Sequence, residues 1–143
     1  MEAKLKFGKD PEGTPVDMTQ YRSVIGCLRY LTHTRPDISY AVGIVSRYME
    51  KPTVVHRQAV KHILRYVKGT VSYGLVYRQS QCNEELVGFT DSDLAGDVDD
   101  RHSKGGMTFN LGDSLVTWTS QKQKMVALSS CEAKFMAATA IAS

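Results

Sequence analysis

Near Gln79-Ser80-Gln81-Cys82-Asn83 the chain changes character, and that change constrains its fold more than any other feature. Before it, apolar residues recur every three to four positions, as on a buried helix face; after it they alternate, as on a half-buried strand. The charge changes with the period. Residues 1–82 carry 13 Lys/Arg against 6 Asp/Glu, whereas residues 83–143 carry 5 against 9. A basic helical part joined to an acidic strand-bearing part predicts an α+β chain whose two parts do different work. We divide it as a polar lead over 1–16, a helical region over 17–82 and a sheet region over 83–143.

Three helices are expected in the basic part. Asp17, with Gln20 three residues on, suits a capping box, and Val24, Ile25, Leu28 and Leu31 follow at helical spacing. That helix should stop near His33-Thr34. A second starts at Pro36, a residue tolerated in the first turn, with Ile38, Ala41, Val42, Val45 and Met49 as its stripe. Gly26 and Gly43 fall mid-helix, where glycine costs about 1 kcal/mol relative to alanine, so close helix–helix approach is expected there. The third helix opens after Thr53 and closes at Gly69, with Ala59, Val60, Ile63, Leu64 and Val67 as its apolar side. Its other side carries Arg57, Lys61, Arg65 and Lys68, four cations on one face. Such a face can track nucleic-acid phosphates by releasing their counterions, or it can simply be solvated. A short strand is expected over Val71–Tyr77.

In the acidic part, Leu86–Asp93 reads as a strand ending in acid, and Asp91 and Asp93 alternate onto one face. Residues 103–121 read as a hairpin turning at Leu111-Gly112-Asp113-Ser114, and Val126–Leu128 as a further short strand. A last, apolar helix begins at Ser129 with Ala133, Phe135, Met136, Ala137, Ala140 and Ile141. Ser129 and Glu132 have capping-box spacing, which explains Glu132 without chemistry. Asp91, Asp93, Gly96 and Asp97 match part of a calcium loop. Ala95 at its fifth position and His102 at its twelfth exclude that reading. Asp97-Val98-Asp99-Asp100 reads as a loop, and the four histidines have no ligand-spaced partners. Cys27, Cys82 and Cys131 are odd in number and widely spaced, which suits a reduced compartment such as cytoplasm or nucleus. Neither a signal-peptide core nor an apolar run of about 18 residues occurs, so no membrane span is expected.

Thr34-Arg35-Pro36-Asp37-Ile38-Ser39-Tyr40-Ala41-Val42, His62-Ile63-Leu64-Arg65-Tyr66-Val67-Lys68-Gly69-Thr70 and Gly74-Leu75-Val76-Tyr77 resemble signatures of copia-type retrotransposon polyproteins. Phe89-Thr90-Asp91-Ser92-Asp93-Leu94-Ala95-Gly96-Asp97 and Ser129-Ser130-Cys131-Glu132-Ala133 look like the RNase H motifs of the same family. The resemblance implies a reverse-transcriptase thumb/connection-like region followed by the front of an RNase H-like mixed sheet. Asp91 and Glu132 would be its first two metal-binding acids, holding Mg2+ in the intact family, and an RNA/DNA hybrid would be the partner. The family's third acid lies on a strand after the Glu132 helix, and no acid follows Glu132 here. Leu94 stands for a usual Trp, and Lys134-Phe135 for an acidic-aromatic pair. The expectation is therefore vestigial acids, no cofactor and no hydrolysis. An exposed sheet edge and an exposed face of Met136, Ala140 and Ile141 are expected with it.

The sequence also resembles secreted RxLR-type effectors of oomycete plant pathogens that are copia-like. Gly26-Cys27-Leu28-Arg29 is a variant of their translocation motif. That resemblance implies delivery into host cells, a host protein as partner and suppression of defence-related cell death.

Overall fold

The computed structural model describes residue 8 and residues 12–77, 85–97 and 100–139. The architecture is α+β, in two compact units: Lys9–Leu75, and Met1–Gly8 with Val76–Ser143.

In the first unit, α1 (Met18–Leu31), α2 (Ser39–Val45) and α3 (Val54–Gly69) pack around one apolar cluster. Asp17 caps α1, its Oδ1 accepting from the backbone N–H of Thr19 (2.8 Å) and Gln20 (3.3 Å). Tyr21, Ile25 and Leu28 of α1 meet Ile38, Val42, Val45, Val60 and Ile63 in the core. The buried Tyr21 hydroxyl donates to the Val45 carbonyl at 2.8 Å. Burial, followed by the nearby Tyr48, pushes the Tyr21 pKa up to about 12.

Four local expectations are corrected. The helix expected from Pro36 through Met49 is broken into a 3-10 turn (Pro36–Ile38), α2, and a second 3-10 turn (Ser46–Tyr48). Ser46 Oγ donates to the Val42 carbonyl at 2.6 Å, and the α-helix ends there. Such back-bonding by serine competes with helix continuation. Among the described residues nothing beyond its own helix backbone lies within 4 Å of a Cβ position at Gly26, and Gly43 is also exposed, so neither serves close helix approach. Their phase on the helix points away from the buried residues. Leu64 is 42% exposed. His56 takes its expected share of the core instead, being 1% exposed and stacked on Tyr48 with ring centroids 4.1 Å apart. Val71–Tyr77 is a turn followed by irregular backbone, since Tyr73 N–H donates to Thr70 O and no strand pairs with it among the described residues.

In the second unit, β1 (Leu86–Ser92), β2 (Lys104–Leu111) and β3 (Ser114–Lys122) form an antiparallel sheet in that order, and α4 (Ser130–Thr139) packs on β1 and β2. The hairpin turns at Gly112-Asp113, with Gly112 at φ 56°, and a bulge interrupts the pairing at Phe109/Asn110. An added Cβ at Gly88 would lie 2.8 Å from the ring of its partner Phe109, which would have to shift. Ala133 and Ala137 are buried against the sheet, with the Ala137 methyl 3.6 Å from the Cβ position of Gly105. Among the described residues Val126–Leu128 pairs with no strand; Ala127 is buried there and Leu128 is 90% exposed. Met136 is half-buried. Ala140 and Ile141 lie outside the described residues. Among the described residues no helix is long and apolar enough to cross a membrane.

Candidate nucleic-acid interface

At about 100° per residue, Arg57, Lys61, Arg65 and Lys68 fall within an arc of about 80° on α3. The centre of that arc is about 130° from the centre of the buried row of His56, Val60, Ile63 and Val67. All four cations are exposed. Among the described residues, none enters a side-chain hydrogen bond or ion pair. From Arg57 to Lys68 the helix rises about 16 Å. The arrangement is a straight, unneutralised cationic track, with Lys68 in the last turn where the helix dipole favours it.

Both ends of α3 are pinned. At its start, Thr53 and His56 form a reciprocal capping box, with His56 Nδ1 accepting from Thr53 N–H at 3.0 Å. Just before it, Val16 N–H donates to Pro52 O and Val54 N–H to Thr14 O, around a bridge between Pro15 and Thr53. At its end, Arg35 grips two partners. Its Nε and Nη2 donate to the two Asp37 carboxylate oxygens at 2.9 and 2.7 Å. Nη1 and Nη2 donate to the Thr70 carbonyl (3.0 Å) and hydroxyl (2.7 Å). The Thr70 hydroxyl donates in turn to Tyr66 O at 2.8 Å, and the guanidinium lies over the Tyr66 ring. The Arg35 side chain is 7% exposed.

The charges answer to this geometry. Hydrogen bonding to Arg35 holds the Asp37 carboxyl below its ordinary value, outweighing the effect of burial. The Asp37 carboxylate, hydrogen-bonded to Tyr66, raises that phenol. Sequence reasoning missed this hub because residues 35 and 70 are remote in the chain. The available signal was an arginine beside Pro-Asp in one signature, with a Tyr and a Thr in another.

The acids stand differently. Asp91 is exposed on β1, and its Oδ1 accepts from the Ser92 backbone N–H at 2.8 Å. Ser92 pairs with Gly105, which faces Ala137 of α4, whereas Asp91 pairs with Gly106, whose nearest contact is the Thr119 carbonyl. The strand pleat therefore directs Asp91 to the sheet face that α4 leaves uncovered. Glu132 sits in the first turn of α4. Its N–H donates to Ser129 Oγ (3.1 Å), and its Oε2 accepts from Leu128 N–H (2.8 Å). Among the described residues no group of three or more His, Cys, Asp or Glu is placed to hold a metal ion.

Other acids of the strand motif close the loop after β1. Asp93 Oδ1 accepts from Lys104 N–H at 2.6 Å, and a Cβ on Gly96 would collide with the Asp93 carboxylate. The buried Asp97 pairs with Lys122 Nζ at 3.0 Å, and Asp100 pairs with the same ammonium. Burial acts to lower the Lys122 pKa, and hydrogen bonds to Asp100 and Asp97 overcome it and raise it. Val98 and Asp99 lie outside the described residues. Gly26-Cys27-Leu28-Arg29 is an interior turn of α1, with Leu28 in the core and the other three exposed.

Over 119 residues (83% of the chain), the sequence is 45% identical to the retrovirus-related Pol polyprotein from transposon RE1 of Arabidopsis thaliana, and covers 8% of that protein. Over 120 residues it is 47% identical to the corresponding polyprotein from transposon TNT 1-94 of Nicotiana tabacum, covering 9% of it. It is also 44% identical over 118 residues to secreted RxLR effector protein 161 of Plasmopara viticola, covering 82% of that protein. The chain thus spans less than a tenth of the length of the polyproteins it matches. No family model and no solved structure matches it.

Proposed function

Because the chain belongs to the copia-type retrotransposon Pol family, we propose that these 143 residues bind the backbone of an RNA/DNA hybrid without cutting it. The observation that carries this reading is the cationic arc of Arg57, Lys61, Arg65 and Lys68, four exposed charges with no acidic partner among the described residues. Clustered cations of this kind displace condensed counterions from a polyanion, which is the main source of sequence-independent affinity. In this reading residues 17–82 are the thumb/connection-like part. Residues 83–143 are the front of an RNase H-like region, an assignment supported by three antiparallel strands followed by a helix across them.

The carboxylates in hand do not fit a pair of divalent ions. Asp91 points to the face of β1 away from α4, and Glu132 is engaged at the start of that helix by a backbone N–H. Two-metal hydrolysis needs carboxylates converging on ions about 4 Å apart. Asp91 and Glu132 are marks of descent in this reading. Incubating purified chain with end-labelled hybrid and Mg2+ or Mn2+ should leave the RNA intact. Robust cleavage, lost in Asp91→Asn, would refute the non-catalytic part.

A second reading is favoured by one observation: the chain covers 82% of the Plasmopara viticola effector at 44% identity. A host protein would then be the partner. Gly26-Cys27-Leu28-Arg29 lends it no support, since Leu28 is buried within α1. Expressing the chain in a plant leaf with a cell-death trigger separates the two: suppression supports the effector reading, and unimpaired death alongside hybrid binding supports the first.

A further inference from the structure

We propose that Gln58 and His62 form a second row on α3 that reads sugar and base edges beside the phosphates held by Arg57, Lys61 and Arg65. The inference rests on the cationic face being a nucleic-acid surface and adds to it the feature that selects RNA-containing duplexes. Residues four apart stack along a helix face, so 57–61–65 and 58–62 make two rows. Continuing the arc at about 100° per residue, Gln58 lies about 20° beyond Arg65, and His62 about 40° beyond Gln58. Both are exposed and, among the described residues, make no side-chain hydrogen bond or ion pair. The next member of the row, Tyr66, is occupied by Asp37 and Arg35, so the readable stretch is the Gln58–His62 pair.

The chemistry of the two rows differs. Arginine and lysine donate and cannot accept, which suits phosphate oxygens that are alike in every sequence. A glutamine amide and an imidazole ring each offer a donor and an acceptor. That combination matches a 2′-hydroxyl, itself donor and acceptor and absent from DNA. Gln58 carries no charge, so its contact with a sugar or base edge releases no counterions and its contribution does not depend on salt. Charge complementarity seats the duplex, and the Gln58–His62 row beside it registers which duplex it is.

The test is fluorescence anisotropy of the full chain with a labelled RNA/DNA hybrid and a DNA duplex of the same sequence, each across a salt series. Wild type should prefer the hybrid by about tenfold, as two added hydrogen bonds of ordinary strength allow. Gln58→Ala with His62→Ala should bring the two affinities to within about twofold of each other, with unchanged thermal melting, and Gln58→Ala alone should leave the salt slopes unchanged. Arg57→Gln with Lys61→Gln should weaken both duplexes alike and flatten both slopes. A hybrid preference that survives the Gln58/His62 change overturns this inference while leaving backbone binding intact. Failure of wild type to bind either duplex overturns both.

Discussion

Replacing Arg57, Lys61, Arg65 and Lys68 together by glutamine is expected to weaken hybrid binding by roughly 1,000- to 10,000-fold near 0.1 M salt. Each phosphate contact contributes close to one unit to the slope of log affinity against log salt, and near 0.1 M each unit is worth close to a factor of ten. Single replacements should therefore each remove about one unit of slope and about tenfold in affinity. All four side chains are exposed, so thermal melting should hardly move. Anisotropy titrations and melting curves on the same preparations separate lost binding from lost fold.

The second large effect concerns the hub at the end of α3. Arg35→Ala removes a buried guanidinium that satisfies the Asp37 carboxylate and both oxygens of Thr70. Breaking such a pair leaves a carboxylate without its partner, and melting of the helical unit should fall by on the order of 10 °C. Acid acts through the same contact. Asp37 is held below its ordinary value of 3.8, so its contribution is fully present above that pH. It is lost as pH falls through the lower folded-state value. Melting temperature should therefore be flat above about pH 5 and decline below about pH 4, and Asp37→Asn should remove this part of the decline.

Much of the fold was legible where local chemistry decides it. Thr53 and Gly69 bound α3 as expected, Asp17 caps α1, and Gly112-Asp113 turns the hairpin. These are short-range signals, complete within a few residues. Expectations failed where a distant partner decides. Val71–Tyr77 and Val126–Leu128 have strand-like composition, yet a strand exists only where another strand pairs with it. Leu64 is apolar yet exposed, whereas His56, accepting from Thr53 N–H and stacked on Tyr48, fills the buried side of α3. The continuous second helix gives way to a 3-10 turn at Ser46, whose hydroxyl donates to the Val42 carbonyl.

The candidate site divides in the same way. The cationic arc depends on helix period alone, and residue spacing revealed it. The orientation of Asp91 depends on its pairing with Gly106 and on which face α4 covers, neither of which is local. The signature around Arg35 was visible as a likeness before its physical reason was. In the structure it is a clamp between the turn at Pro36 and the last turn of α3, which orders the helix that carries the charge.

The most direct measurement is the equilibrium affinity of the unaltered chain for an RNA/DNA hybrid as salt is raised. Four engaged cations predict a linear fall of log affinity against log salt with a slope of about −3 to −4. Binding that is absent at low salt, or that does not weaken as salt rises, would contradict the assignment of α3 as a backbone-binding helix.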